Sequence, residues 1–274
     1  MPVSLAGRSH VSNDHYIPQF LTRPWEYGER RLRVFDFRTG QVSDQPARKL
    51  FASEGLNTRE VEHALNVYVE TPGGRLAHRL RAGQSIPSLT PSDWPTIRAL
   101  ALLFILNPQR LDEARGEVSS KMSISDLVTR GEPALDEAAR WTLSKFEFGS
   151  LRLPGSQELF FTEVANFPIP QPALPLLAIP LGLDVLLIAR DRTKPDQTHL
   201  LQEMAQRGTL HALSLGIGGN SHRVVLPPSW RDAFTRDPDK TANGLRAIRE
   251  AAAEICRTVA VAGRLAGVAA WDVT

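Results

Sequence analysis

The chain of 274 residues contains a single cysteine, Cys256. One thiol excludes a disulfide framework within the chain and any zinc site built from several cysteines. Cys256 falls in a helical pattern on or near an apolar face, which indicates an inert buried thiol rather than a nucleophile. Hydrophobic residues make up 42% of the chain, which is enough for a packed core and too many for a wholly disordered protein.

Long apolar runs are also missing. The most apolar stretch, residues 173–189, includes Pro175, Pro180, Gly182 and Asp184, and it is shorter than the roughly 20 residues that cross a bilayer. Residues 1–10 lack the apolar centre of a signal peptide. We therefore expect a soluble bacterial protein of the cytoplasm with no membrane partner.

The chain has no excess of charge of either sign. It carries 32 Lys and Arg against 30 Asp and Glu, and no third of the sequence stands out as basic. The linear electrostatic signature of a dedicated nucleic-acid binder is thus absent. Lysine is scarce, however, and most cations are arginines, whose forked guanidinium suits phosphates and carboxylates. Codon bias in a GC-rich genome explains this equally well, but folding could still gather arginines into a basic patch.

The common catalytic and cofactor motifs are not found. The glycine-rich residues 216–219 lack the Lys-Ser/Thr of a phosphate loop and read as a flexible turn, and no Gly-x-Ser-x-Gly elbow occurs. No two of the seven histidines have the i, i+4 spacing of a helical zinc site. We predict neither a cofactor nor a metal.

Periodicity predicts mainly helices in the first half of the chain. Residues 31–43 alternate around a Thr39-Gly40 turn, which predicts a β-hairpin. Asn57 and Glu60 have capping-box spacing and begin a helix, and Thr71-Pro72 begins a shorter one that ends at Gly83. A helix is predicted to begin at the Ser92 cap, and its residues 97–106 are apolar on all sides except at Arg98, which predicts a buried central helix; another helix fits residues 133–146.

Strands dominate the second half. Residues 151–162 are predicted to form a hairpin, and the apolar runs 176–179 and 185–189 are predicted to be strands in the middle of a sheet. A helix at 197–206, a strand at 223–226 and a long helix at 241–267 follow. Strands and helices do not alternate regularly, so we expect the α+β class. The predicted architecture is a single α+β core, residues 1–235, whose antiparallel or mixed sheet is covered by helices. A linker around residues 236–240 and a long C-terminal helix complete it, within residues 236–274.

One segment resembles a known bacterial family. The opening Asn13-Asp14-His15-Tyr16-Ile17-Pro18-Gln19-Phe20-Leu21, followed by the strand at residues 32–37 and its Thr-Gly turn, is similar to that of the family called domain of unknown function 4238. The resemblance covers roughly residues 13–226 and continues at 61–65, 159–168 and 179–187. It implies a shared fold and a bacterial origin, but no reaction.

The chain departs from the family pattern at two polar positions. The family tends to have Arg-Thr-Pro after its central helix, where this chain has Leu106-Asn107-Pro108. It also tends to have a Ser-Asp-Asn-Pro turn, of which this chain keeps Asn166 and Pro168. Any chemistry that those groups carry in the family is lost here or transferred to Glu163.

Candidate functional residues follow from the opening motif and the departures. His15, Tyr16 and Gln19 place hydrogen-bonding groups on one loop that Pro18 stiffens, although His15 could equally anchor the segment while its neighbours pack. The candidate catalytic residues are His15, Tyr16, Glu62, Glu163 and Asn166. The candidate binding residues are Gln19, Arg23 and Arg110.

Two classes of function remain. Because no complete catalytic constellation is found, we favour a binding or interaction protein whose partner is a nucleic acid or another protein. The alternative is a nuclease-like hydrolase acting on nucleic acid or nucleotides in a defence role. The long terminal helix is rich in alanine and glycine, which indicates either central packing or a homodimer seam.

Overall fold

The computed structural model describes residues 13–84, 86, 93–100, 102–103, 130–162, 167–171, 174–193, 202–203, 205–208, 214 and 222–265. It describes only the backbone at residues 13, 167–171, 174–177 and 255–265. The helices and strands with described bounds are, in chain order, β1 (Asn13–His15), α1 (Gln19–Thr22), β2 (Arg31–Asp36), β3 (Gln41–Pro46), β4 (Ala52–Glu54), α2 (Arg59–Leu65), α3 (Thr71–Arg81), α4 (Glu132–Lys145), β5 (Phe146–Arg152), β6 (Phe161–Thr162), β7 (Phe167–Gln171), β8 (Leu174–Pro180), β9 (Val185–Asp191), β10 (Arg223–Val225), α5 (Pro228–Arg236) and α6 (Pro238–Leu265). Single 3₁₀ turns follow α1 (Arg23–Trp25) and β3 (Ala47–Lys49), and a π-helical turn (Asn66–Glu70) joins α2 to α3.

The first sheet has the strand order β3-β2-β10-β6 and is antiparallel throughout. The predicted hairpin forms its edge, and Gly40 takes a φ of +71° in the turn, a conformation that glycine adopts without strain. Val224 of β10 lies opposite Phe35 of β2 and opposite Thr162 of β6. The short strand β10 therefore joins segments that are far apart in sequence.

The second sheet has the order β5-β9-β8-β7 and is also antiparallel. Residues 185–189 of β9 are all buried, which confirms that this apolar run lies inside a sheet with both faces covered. The strands thus form two four-stranded sheets, where the sequence predicted one. A separate two-stranded ladder pairs β1 with β4.

The predicted hairpin at residues 151–162 is wrong. Its first strand belongs to β5 and pairs with β9, while its second part, β6, pairs with β10 in the other sheet. The backbone N–H of Leu153 donates to Asp184 O at 2.7 Å, so the chain is still held by the second sheet there. The Pro154-Gly155 turn forms, but it leads the chain from one sheet to the other.

Two groups of buried side chains cover the two faces of the first sheet. Leu32, Val34, Val225 and Phe161 belong to the main core, which also includes side chains of α1, α3 and the second sheet. Phe35 and Val224 point the other way and pack with Leu245 of α6 and Phe234 of α5. The predicted central helix is confirmed where it is described: residues 94–100 and 102–103 are helical, and Leu100, Leu102 and Leu103 are buried in the main core. These layers form a single α+β domain.

Three helix boundaries differ from those predicted. Thr58 rather than Asn57 caps α2, because its hydroxyl oxygen accepts a hydrogen bond from Val61 N at 3.4 Å. The π-helical turn carries the chain from α2 into α3 without the interruption expected at Thr71-Pro72. The residues predicted as a linker are a tight junction between α5, which was not predicted, and α6.

Asp237 is the one residue between these two helices, and its carboxylate accepts from Lys240 N at 3.1 Å.

None of the described helices has the length and hydropathy that a bilayer crossing needs.

Candidate functional site

The segment from β1 to α1 has a buried side that fixes it to the fold. Tyr16, Ile17, Phe20 and Leu21 are each at most 5% exposed. The ring of Phe20 lies against α3 so closely that a Cβ atom added at Gly73 would be 2.7 Å from its Cζ. The apolar residues of the opening motif therefore anchor the N-terminal segment, in agreement with the structural interpretation.

Two polar residues of the same motif, His15 and Gln19, are only partly buried. A ring nitrogen of His15 is 3.4 Å from Gln19 Nε2, and Gln19 Oε1 accepts from Arg30 Nη2 at 3.3 Å. Arg23 follows Gln19 by four residues in continuous helical turns, so both lie on one helix face. We call His15, Gln19, Arg23, Arg30 and Arg81 the α1 surface.

Arg81 ends α3 and joins three parts of the molecule. Its Nη2 donates to Phe20 O at 2.8 Å, and its Nε donates to Leu181 O in the turn between β8 and β9. Burial, together with the nearby charge of Arg23, lowers the pKa of Arg81 to about 10. Its guanidinium is therefore partly desolvated and lies close to a second cation.

Six arginines among the described residues form an ion pair with an acid, and one of them, Arg30, belongs to the α1 surface. The ion pairs are Arg30–Glu26, Arg33–Asp44, Arg98–Asp136, Arg152–Asp184, Arg190–Glu147 and Arg207–Glu203. Within the described ranges, neither Arg23 nor Arg81 has a carboxylate within ion-pair distance. The α1 surface thus holds two neighbouring arginines, Arg23 and Arg81, with no acid bound to either among the described residues.

A second basic segment lies beside this surface. The 3₁₀ turn Ala47–Lys49 packs against β1 and α1, and Ala47 N donates to Arg30 O at 2.9 Å. This contact brings the exposed residues Arg48 and Lys49 to the edge of the α1 surface.

Tyr16 and Glu62, two of the predicted catalytic residues, have hydrogen-bonding partners within the fold. Tyr16 is 5% exposed, and its hydroxyl accepts from Arg223 Nη2 at 3.3 Å. The carboxylate of Glu62 accepts from the side chain of Asn57, whose backbone N–H donates to the buried Asp14 at 2.8 Å. Both residues therefore take part in contacts that hold α2 and β10 to the N-terminal segment.

The remaining predicted site residues, Glu163, Asn166 and Arg110, lie outside the described residues. The hydrolase alternative depends on the first two and stays a prediction. Over the part of the chain that the structure describes, no group of three or more His, Cys, Asp or Glu is placed to hold a metal ion.

A shallow cleft of about 450 Å³ lies between α5 and α6, lined by Trp230, Arg236, Lys240 and Gly244 among others. Asp237 also lines it, and its carboxylate already caps the first turn of α6. The anion-binding end of that helix is therefore occupied by the chain itself.

Sequence reasoning identified His15, Gln19 and Arg23 because all three lie within or next to one motif. Arg81 was missed, and no local signal could have found it. Its side chain is held in place by Phe20 O and Leu181 O, two acceptors that lie 61 and 100 residues away along the chain.

No protein-family model, curated protein or solved structure matches this chain.

Proposed function

We propose that this chain is a binding protein of the bacterial cytoplasm, and that its α1 surface engages the phosphates of a nucleic acid. The observation that carries the proposal is that Arg81 donates to Phe20 O, three residues before Arg23, and that neither arginine has a carboxylate partner in the described parts of the chain. Membership of the family called domain of unknown function 4238 is part of the proposal and rests mainly on the opening motif, with weaker support from the later segments.

The chemistry of the α1 surface suits phosphate groups. Guanidinium forks donate two parallel hydrogen bonds to an oxyanion, and they are less strongly hydrated than an ammonium group. Gln19 and His15 supply further polar groups next to the arginines, and Lys49 extends the positive charge along the edge. Because the whole chain has a net charge of only +2, the attraction would be local to this surface.

The same surface is poorly suited to a protein partner. Protein interfaces have apolar or aromatic anchors at their centres. Among the described residues, the large apolar side chains that are exposed are Val67 and Trp141, and neither belongs to the α1 surface. The geometry therefore favours a phosphate-rich polymer.

Fluorescence anisotropy with labelled single- and double-stranded oligonucleotides over a series of salt concentrations tests this proposal. We expect affinity to fall steeply as salt rises, because each neutralised phosphate releases counterions. Reversing one charge at the edge of the surface, Lys49→Glu, should weaken binding about tenfold at low salt.

The matched control is Lys240→Glu, which makes the same charge change at the α5–α6 junction, against the opposite face of the first sheet. It should leave affinity within about twofold of the parent. Absence of oligonucleotide binding, or equal loss in the two variants, would contradict the proposal. Capture of a protein partner that Lys49→Glu abolishes would favour the other class of interaction.

A further inference from the structure

Three arginines converge where α3 ends, and only one carboxylate is bound to any of them among the described residues. Arg152 uses Nη1 to bind Asp184 and Nη2 to reach Leu80 O and Arg81 O at 3.1 and 3.0 Å. Arg152 thereby occupies both the local acid and the carbonyl groups at the end of the helix. Among the described residues, no acid is bound to Arg23 or to Arg81.

The guanidinium of Arg81 is held rigidly but is not saturated. Nε and one hydrogen of Nη2 are used by Leu181 O and Phe20 O. Nη1 and the second hydrogen of Nη2 have no partner among the described residues. The stem of the side chain is also confined, since its Cγ would be 3.3 Å from a Cβ added at Gly182. Donors fixed in this way lose little entropy when they bind a ligand.

Arg23 is the second cation beside the guanidinium of Arg81. The side chain of Arg23 is exposed and makes no hydrogen bond or ion pair with the described residues. Its positive charge is close enough to lower the pKa of Arg81. The partial burial of Arg81 strengthens this repulsion between the two cations. A bound anion would relieve this repulsion and use the remaining donors.

We infer that Arg23 and Arg81 form a subsite for a single phosphate oxyanion, with Arg81 as the fixed donor and Arg23 as the mobile one. The inference deepens the proposed function and rests on it for the source of the phosphate, which is the internal phosphodiester of a nucleic acid strand. A terminal phosphomonoester presents the same oxyanion to the arginines, and the experiment below distinguishes it from an internal phosphodiester.

The first measurement uses inorganic phosphate and the full chain at constant ionic strength, following the ³¹P line width during a titration. Arg23→Gln removes the charge of an exposed side chain without described contacts, so it should leave the fold intact. We expect it to weaken phosphate binding at least fivefold. The control Arg38→Gln removes an equally exposed arginine beyond the far end of β2, roughly 20 Å from Arg31 by strand rise, and should change nothing.

Arg81→Lys keeps the charge and removes the fork. It should weaken phosphate binding as much as Arg23→Gln, with urea unfolding reporting whether the variant remains folded. Equal phosphate affinity in the parent, Arg23→Gln and Arg38→Gln would overturn the subsite, even if oligonucleotides still bind.

The second measurement compares oligonucleotides with and without a 5′ phosphate. If Arg23→Gln weakens both equally, the subsite takes an internal phosphodiester, as inferred. If only the phosphorylated strand loses affinity, the source is a terminal phosphate and that part of the inference is wrong. If inorganic phosphate binds through Arg23 but no oligonucleotide does, the proposed function fails while the oxyanion subsite stands.

Discussion

Arg33 of β2 and Asp44 of β3 face each other across the hairpin and form a two-point ion pair. Arg33 Nε is 2.8 Å from Asp44 Oδ1, and Arg33 Nη2 is 2.9 Å from Oδ2. Hydrogen bonding from Arg33 lowers the pKa of Asp44 from 3.8 to about 2, against the opposing effect of burial. At the scale of single residues, this pair ties the edge strand to its neighbour.

Because the pKa of Asp44 is lower in the folded state, its contribution to stability is complete above the unfolded pKa near 4. It is lost as the pH falls towards the folded value of about 2. Asp44→Asn should therefore lower the free energy of unfolding by about 1 kcal/mol at pH 7, after allowance for solvent screening of a partly exposed pair. The deficit should shrink as the pH falls below 4.

Urea unfolding of parent and variant between pH 7 and pH 3 measures this difference. Asp232→Asn, an exposed acid on α5, serves as the control and should stay within about 0.5 kcal/mol of the parent at every pH. A deficit for Asp44→Asn that does not depend on pH would argue against the ion pair as its cause.

At the scale of elements, α1 is seated on α3 through two adjacent glycines that differ in their surroundings. A Cβ at Gly73 would be 2.7 Å from the buried ring of Phe20, whereas the nearest atoms to a Cβ at Gly74 are 3.8 Å away. Both residues are inside the helix, where alanine is intrinsically better than glycine by about 1 kcal/mol. The two positions thus separate helix propensity from packing.

Gly73→Ala should destabilise the protein by about 1–3 kcal/mol, because the ring of Phe20 must move and carry α1 with it. Gly74→Ala should be neutral or stabilise by up to about 1 kcal/mol. Thermal unfolding of the two variants checks the pair of outcomes. Equal shifts in Tm would show that Phe20 does not dock on Gly73.

Elements set by local sequence were predictable, and elements set by distant partners were not. The hairpin around Gly40 was found because its alternation and its turn lie within 16 residues, Arg31 to Pro46. The supposed hairpin at residues 151–162 has an equally clear turn, but its strands find better partners in β9 and β10. The nine-residue helix α5 was missed because its stability comes from tertiary contacts, such as Phe234 against Phe35 at 5.6 Å.

The same reasoning applies to the candidate site. The polar side of the opening motif could be read from the sequence, and the structure places His15 and Gln19 within 3.4 Å of each other. The position of Arg81 beside them could not be read from the sequence, because it depends on backbone carbonyls of α1 and of the turn after β8. A local pattern therefore located three of the five residues of the α1 surface.

At the scale of the whole molecule, α6 is the longest helix described, with 28 residues and a length of about 42 Å. Thr241, Ala242, Leu245 and Ala252 of this helix are buried within the domain. Part of α6 thus packs on the first sheet with its leucine and isoleucine face. The homodimer seam stays a prediction, since most of the small residues that would form it lie beyond residue 254, where the structure describes no side chains.

Sedimentation of the full chain and of Ala260→Glu tests the seam. If two copies associate through the small residues near position 260, the parent should sediment as a dimer. A buried glutamate there should then dissociate it without unfolding. Circular dichroism checks that the helix content of the variant is unchanged. A parent that sediments as a monomer at all concentrations would end the dimer hypothesis.

The place of β10 in the first sheet also determines when that sheet can form during synthesis on the ribosome. The hairpin of β2 and β3 is complete at Pro46, but its neighbour β10 is not made until Val225. At elongation rates of about 5–20 residues per second, the nascent hairpin waits roughly 10–35 seconds with the edge of β2 unpaired. A chain stopped before residue 223 would keep that edge open, and its exposed strand would be a template for aggregation. Ribosome stalling between Pro46 and residue 223 should therefore damage this protein more than stalling after Val225.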